Sequence, residues 1–422
     1  GWHDAAEMSQ QILQSGENAQ GLLEKAERAK EKGNNALYLR LMEEAEWGID
    51  MILKSRFDDG YRAQTWGTNL WTDGFIGTKD DTLRWRRIHV HNRAFENFVY
   101  AGIEAYASLM QEKDIMLKAN LRKVAMEDFA FAKHRFDSLG FKDISSIGGG
   151  GDHAAMASNS QYMANISFAA SMIYKLTGDA YYANEAANAI RYTVSCQRTE
   201  PLKDKDKLRG FFYRDQDKKS IVHYTHQSRD QVYMQALTML CETQPNHADY
   251  NKWKESIRLY GDYLKTIMQY VQPYGMVPSG VYQIDEVKDS VNFYKVQVGI
   301  FRGADKDYKE QLENGVKLDK EHYLRVFPVW FSFKGNAAVH LSTGKAAALA
   351  GKFLNDKDLI NIAEQQLFWI VGKNPFGQSY VWGEGSNYPQ LYTALPGETV
   401  GGIPVGMQSK FNEDTPYWPQ FN

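Results

Sequence analysis

The stretch SNSQYMANISFAASMIYKLTGDAYYANEAANAIRYTVSCQ, residues 158–197, decides the fold class. In its first half Tyr162, Ile166, Ala169, Ile173 and Leu176 recur at steps of four, three, four and three, which places them on one face of a helix. Ser158 stands where a helix cap is expected, and Gly178 stops the helix, since glycine takes the left-handed backbone that commonly closes one. Only Thr177-Gly178-Asp179 separate this run from a second one, so the stretch predicts an antiparallel helical hairpin.

Working outward, the same pairing predicts helices over 8–31 with 34–55, 90–112 with 114–138, 226–244 with 248–271, and 330–352 with 356–373. No alternating apolar and polar run long enough for a useful strand stands between them, so the class is all-α. The hairpin period is too irregular for an open solenoid of about 34-residue repeats. The expected architecture is a ring of helical hairpins in one domain over residues 1–422. Five hairpins are visible, and the sixth is expected from one helix before Gly1 and one after Asn422, which makes this an incomplete barrel. Long connections rich in glycine, aromatic and charged residues occupy 56–89, 139–157, 198–225, 273–329 and 374–422. Loops of that length are uncommon in a compact domain unless they build a site, and in a ring they gather at one end.

Composition narrows the class of partner. Apolar residues at 43% and charged residues at 24% suit a well-packed globular chain. The 49 Lys and Arg against 52 Asp and Glu fall in no long block, which argues against nucleic acid and membrane surfaces as partners. No run of about 18 apolar residues could span a bilayer. Cys196 and Cys241 are too few for a disulfide framework and are expected as buried thiols. The chain opens Gly1-Trp2-His3 without a basic-then-apolar leader, the expectation for a processed or trimmed product. The 10 Trp, 25 Tyr and 21 Phe are the informative skew, because many stand in loops: Trp66, Trp71, Trp85, Trp382, Tyr388, Tyr417 and Trp418. Sugar rings present C–H faces that stack on aromatic rings, so loop aromatics suit a carbohydrate cleft; the alternative is that they pin long loops.

Three segments carry chemistry. In Gly1-Trp2-His3-Asp4-Ala5-Ala6-Glu7, Asp4 and Glu7 lie three apart at a helix start and can face one side. Such a pair can hold and deprotonate one water, or can simply cap the helix and complement its dipole. Gly372-Lys373-Asn374-Pro375-Phe376-Gly377-Gln378-Ser379-Tyr380, continuing through Trp382-Gly383-Glu384-Gly385 to Tyr388-Pro389, predicts a loop at the mouth of the ring, ending a long apolar helix. Gly401-Gly402, then Asn412-Glu413-Asp414 before Tyr417-Trp418, mixes acidic and aromatic groups in a terminal loop. His153, Tyr224 and His226 are further cleft candidates, with His223 beside them. No cysteine or carboxylate stands at metal-like spacing from His89 and His91 or from His223 and His226, so no metal site is expected. Gly148 to Gly151 lacks the Lys-Ser/Thr ending of a phosphate cradle.

These segments together resemble glycoside hydrolase family 9, whose water-activating motif reads Gly-Trp-Tyr-Asp-Ala-Gly-Asp before a long helix, and whose late segment reads Gly-Arg/Lys-Asn-Pro-Phe/Leu-Gly-x-Ser-Tyr. Gly1 to Glu7 and Gly372 to Tyr380 stand in the matching order and separation. The resemblance implies an (α/α)6 barrel and hydrolysis of a β-glycosidic bond with inversion, with two carboxyl groups about 6.5–9.5 Å apart around the water. Asp4 and Glu7 would share that water, Glu7 replacing the family's second Asp with a side chain one methylene longer. The family's general acid is a Glu preceded by Asn beyond the late Gly-Gly. Asn412-Glu413 supplies the dipeptide nearer to Gly401-Gly402 than the family has it, so the acid is Glu413 or lies beyond Asn422.

Where the family commonly continues Tyr-Pro with His-His-Arg, this chain has Gln390-Leu391-Tyr392, which points away from plain cellulose toward another β-linked glycan or an exo-acting mode. Trp66, Trp71 and Trp85, with Arg84, Arg86 and Arg87, would wall off one end of the cleft. The arginines there either meet an acidic sugar or pair with Asp80 and Asp81. Sugar contacts are expected from those tryptophans and from His153, Tyr224, His226, Tyr380, Trp382, Tyr388 and Trp418. No organic cofactor is implied, a structural cation is left open, and the substrate class implies a secreted, periplasmic or cell-surface protein. The alternatives are another toroid enzyme, either a polysaccharide lyase or an unsaturated-uronyl hydrolase acting through Tyr224 and His226, and a non-catalytic glycan-binding domain on the same scaffold.

Overall fold

A computed structural model of the protein describes residues 1–2, 10–66, 90–145, 157–203, 208–223, 229–289, 293, 303–329, 335–388 and 400–417. Helices α1 (Ile12–Glu31) and α2 (Asn35–Lys54), α3 (Ala94–Met110) and α4 (Ile115–Leu139), and α5 (Asn159–Thr177) and α6 (Ala180–Ser195) follow one another across short turns. So do α7 (Gln231–Thr243) and α8 (Tyr250–Ile267); then comes α9 (Ala304–Glu313), and last the pair α10 (Ala337–Leu354) and α11 (Lys357–Ile370). The five expected hairpins are therefore present, with ends within about five residues of those the apolar periodicity predicts, except that α10 starts at Ala337, well after the expected residue 330.

Local chemistry sets those ends. Asn34 and Asp114 accept the backbone N–H three residues on, at Leu37 and Leu117, which satisfies a donor that the first helical turn leaves unpaired. At α5 the cap is reciprocal: the Gln161 N–H donates to Ser158 Oγ at 3.1 Å and the Ser158 N–H to Gln161 Oε1 at 3.0 Å. Gly178 takes φ +74° at the turn that follows. The hairpin then closes antiparallel, with Ser167 Oγ donating to the Ala186 carbonyl and Thr193 Oγ1 to that of Ser160.

The chain forms two compact units. One comprises Gly1–Ser146, Asn165–Ala187 and Thr393–Gly397, and the other Ile147–Ala164, Asn188–Tyr392 and Glu398–Asn422. In the first, α3 is buried along nearly its whole length, whereas α4 buries one stripe of Leu121, Val124, Ala125, Asp128, Phe129 and Ala132. Small residues let the helices close up: a Cβ on Gly102 would stand 3.1 Å from Ala169 Cα, and Phe129 meets Phe98 and Tyr182 edge-on at 5.2 and 5.3 Å. A buried ion cluster crosses this core. The Arg62 guanidinium lies over the Tyr100 ring and donates to the Ile52 carbonyl, Asn97, Glu104 and Asp128, while Arg56 reaches Asp128 from the outside.

In the second unit α7 and α8 pack on α10, and Lys265 of α8 pairs with the α11 cap Asp356 at 2.8 Å. Here the structure adds what was expected only as a loop. Strands β1 (Gly280–Gln283), β2 (Val316–Lys317) and β3 (His322–Arg325) form an antiparallel sheet in the order β1-β3-β2. The strands escape a pattern search because they are short and β3 is buried at every position, so no alternation of apolar and polar residues marks them. Helix α9 escapes because its inward face of Ala304, Tyr308, Gln311 and Leu312 is thinly apolar. Cys196 and Cys241 are buried free thiols as expected, and burial pushes each up to about 12.

Candidate active site

Gly1 and Trp2, which open the water-activating segment, are seated on α2. Trp47 Nε1 donates to the Gly1 carbonyl at 2.7 Å and Trp2 Nε1 donates to Glu44 Oε1 at 2.8 Å. The Trp2 ring lies where a Cβ on Gly48 would be, 2.5 Å from the nearest ring atom. Asp4 and Glu7 follow in sequence and lie outside the described residues, as do Trp71, Trp85, His153, Tyr224, His226 and Trp418. Trp66 is described by its backbone, which pairs with Gln10 in a two-residue ladder.

The late loop is described through Tyr388. The last turn of α11 gives way to Gly372 at φ +102°, and the Asn374 amide then organises the turn. Its Nδ2 donates to the carbonyls of Trp369 and Gln378 at 2.9 and 2.7 Å, and its Oδ1 accepts the N–H of Phe376 and Gln378. One side chain thus replaces the backbone partners that the end of a helix lacks. The Ser379 N–H reaches the Asn387 carbonyl, and Trp382 exchanges backbone hydrogen bonds with Gly401 and Gly402, so the Gly401-Gly402 segment is tied to this loop. Trp382 and Tyr388, both half-buried, stack at 4.9 Å with their ring planes 28° apart. An aromatic pair in that state presents a face on which a sugar ring can lie.

Tyr380 corrects its expected role. It is 0% exposed and belongs to the core with Met276, Phe327, Ala337, Trp369, Ile370 and Met407, so it offers no surface to a ligand. Its hydroxyl accepts from Trp369 Nε1 at 3.2 Å and donates to Asn336 Oδ1 at 3.0 Å. The network continues inward with its protons fixed. Gln366 Oε1 already accepts the Val277 N–H, so His340 Nδ1 must donate to it. His340 Nε2 is then left to accept from Asn336 Nδ2 at 3.0 Å. The imidazole is neutral, and burial lowers it to about 4. Asn336, His340 and Gln366 were not singled out from the sequence, since an isolated polar residue on a helix carries no signal until its burial is known.

In the terminal loop Glu413 is exposed and accepts from Thr415 Oγ1, while its neighbour Asp414 turns inward to accept the N–H groups of Val326 and Phe327 at 2.9 and 3.0 Å. Burial raises the Asp414 carboxyl against the opposing pull of Arg325. Arg325 in turn donates to Ser409 Oγ and the Glu413 carbonyl, so the segment carrying Glu413 is fixed to β3. His223 is buried against Glu286 at 2.6 Å, with the same carboxylate accepting from Tyr308 and from the Ile221 and Gln283 N–H groups. That arrangement gives His223 a structural role. Among the described residues no group of three or more His, Cys, Asp or Glu could hold a metal ion.

The family model described as Glycosyl hydrolase family 9 matches residues 1–393. The chain belongs to glycosyl hydrolase family 9. It is therefore a glycosidase, of a family whose catalysis needs no cofactor, and the lyase and uronyl-hydrolase alternatives fall away. The matched range takes in Asp4, Glu7 and the loop to Tyr388; it stops short of Glu413. Among solved structures, the cellulase Cel9M of C. cellulolyticum is 15% identical, with a TM-score of 0.55 over 92% of this chain and 71% of that one. Bacteroides ovatus GH9 is 15% identical, with a TM-score of 0.57 over 98% and 66%. Endoglucanase CelQ from Clostridium thermocellum, complexed with cellobiose and cellotriose, is 15% identical, with a TM-score of 0.54 over 92% and 52%. At that identity the likeness carries the fold, an all-α (α/α)6 hairpin barrel, and this family 9 chain spans only part of each relative's length. The comparison with curated proteins finds no match.

Proposed function

We propose that the protein hydrolyses a β-linked glucan, or a related β-linked glycan, with inversion, as a single catalytic domain over residues 1–422. Asp4 and Glu7 hold and deprotonate a water whose oxygen attacks the anomeric carbon. The glycosidic C–O bond breaks as Glu413 protonates the departing oxygen. The observation that carries the reading is the family match, which begins at Gly1 and so includes the Asp4 and Glu7 segment. For Glu413 the support is the Asn412-Glu413 dipeptide and a solvent-facing carboxyl on an anchored loop. Trp382 and Tyr388 form one sugar platform, with Trp66, Trp71, Trp85, His153, Tyr224, His226 and Trp418 as further cleft residues.

Relatives of the same fold carry names that point to cellulose, and CelQ binds cellobiose and cellotriose. Gln390-Leu391-Tyr392, in place of His-His-Arg, removes charged donors to sugar hydroxyls, so soluble or branched β-glucans are better substrates here than cellulose. No helix among the described residues is long and apolar enough to cross a membrane, and a polymeric substrate is met outside the cell, so the protein works in a secreted, periplasmic or cell-surface setting.

The test is sugar release from a panel of β-glucans, xyloglucan, chitosan oligosaccharides and uronic-acid glycans, with the first-formed anomer followed by NMR. Glu7→Gln is expected to lose about 100-fold or more, the range of a lost general base. Glu413→Gln should lose activity on glycans and keep it on aryl glycosides, whose leaving group needs no proton. Turnover indifferent to Glu7 would overturn the mechanism.

A further inference from the structure

The seat of Gly1 and Trp2 on α2 is built from directed contacts. Two indole N–H groups make directed hydrogen bonds in opposite senses. Trp47 of α2 donates to the Gly1 carbonyl at 2.7 Å, and Trp2 donates back to Glu44 of α2 at 2.8 Å. The Trp2 N–H also points to Ser15 Oγ of α1 at 3.4 Å. Gly48, one residue after Trp47, leaves the space that the Trp2 ring fills; a Cβ there would also stand 3.0 Å from Ala19 Cβ. Trp47 is 57% exposed, an unusual place for a large aromatic whose polar atom is committed to one backbone oxygen.

We propose that Glu44 and Trp47 are positioning residues that set the water-activating segment, by fixing the backbone direction at Gly1 and the ring of Trp2 immediately before Asp4 and Glu7. The inference rests on the reading of Asp4 and Glu7 as the groups that activate water. The physical case is that a general base works only within hydrogen-bond reach of its water, and a misplacement of about 1 Å can lower a rate about 100-fold. Asp4 comes two residues after Trp2 in sequence, so its Cα stays within about 7 Å of that of Trp2, and the seat of Trp2 bounds where Asp4 can stand. Neither residue supplies much to the core. Glu44 is exposed, and the Trp47 ring remains largely in water.

The experiment compares Trp47→Phe, Glu44→Ala, Glu44→Gln and Glu7→Gln on the best substrate of the panel, measuring kcat, KM and the melting temperature of each. Trp47→Phe keeps the ring and loses the donor. Glu44→Ala removes the acceptor for Trp2, and Glu44→Gln restores an acceptor oxygen without the charge. The expected result is a kcat lowered about tenfold in Trp47→Phe and Glu44→Ala, with KM within about twofold. Melting temperatures should stay close to that of the unsubstituted protein, and Glu44→Gln should recover most of the loss. If Glu7→Gln is inactive while Trp47→Phe and Glu44→Ala turn over normally, the positioning role is overturned and the hydrolytic mechanism stands. Loss of kcat only in step with lost melting temperature, or a Glu44→Gln as impaired as Glu44→Ala, also overturns it. Full activity in Glu7→Gln removes the mechanism and this inference with it.

Discussion

Glu104 is 0% exposed, with one carboxylate oxygen on Arg62 at 2.7 Å and the other without a hydrogen-bond partner among the described residues. Burial, reinforced by Asp128 and opposed by Arg62 and Arg56, pushes its carboxyl up to about 8. Folded Glu104 therefore keeps its proton to higher pH than the unfolded chain, whose ordinary value is 4.5. Its stabilising contribution is whole below pH 4.5 and is lost as pH rises toward 8. Glu104→Gln, which keeps an acceptor for Arg62 and cannot ionise, should melt above the unsubstituted protein at alkaline pH and close to it in acid. Thermal melts across that range decide the matter; equal melting temperatures on the alkaline side would mean that ionising Glu104 costs the fold nothing and that its carboxyl is not raised. Tyr380 supplies the second prediction at this scale. Tyr380→Phe leaves Trp369 Nε1 without its acceptor and removes one of the donors to Asn336, a loss of about 1–3 kcal/mol, while KM for glycans stays unchanged. A raised KM with undiminished stability would return Tyr380 to the sugar. The sequence shows that such a tyrosine is present; its inward direction depends on Asn336, Met276, Phe327 and Met407, which stand far from it in sequence and which no spacing reveals.

At the scale of elements the helices were legible and the sheet was not, for one physical reason. A helix long enough to bury a face repeats its apolar residues several times, as Tyr162 to Leu176 do, and its ends carry caps whose chemistry is local. β1 and β3 are four residues each and depend on one another for their hydrogen bonds, so their signal is non-local. The same distinction divides the candidate site. Gly372 to Tyr380 was legible as a turn because Asn374 and the glycines act on their immediate neighbours, whereas the anchoring of Glu413 by Arg325 and Asp414 joins residues far apart in sequence. The Ser158 cap tests the local part. Ser158→Ala should cost about 1 kcal/mol, the usual worth of a capping hydroxyl, and lower the melting temperature by about 2 °C. Calorimetry of Ser158→Ala beside Ser158→Thr, which keeps the hydroxyl, measures it; equal losses in both would show that packing around Tyr233, not the cap, sets the energy.

For the whole molecule the question is whether the two compact units behave as one domain. The helices of the hairpin that first declares the fold both divide: residues 159–164 and 188–195 of α5 and α6 fall in one unit, and 165–177 and 180–187 in the other. A helix is cooperative along its length, because each turn is held by hydrogen bonds to the next and a new end exposes unpaired groups. Neither unit can lose its share of α5 and α6 without fraying the share that the other retains, and the Ser167 and Thr193 bonds across the hairpin, one in each unit, would break in turn. The expected outcome is a single calorimetric transition whose calorimetric and van't Hoff enthalpies agree, despite a length at which chains commonly split into separate domains. Proline at Ile173 should then lower that one transition without dividing it. Two resolved transitions, with only one moving in Ile173→Pro, would mean that the units fold independently and that the single catalytic domain proposed for residues 1–422 is two.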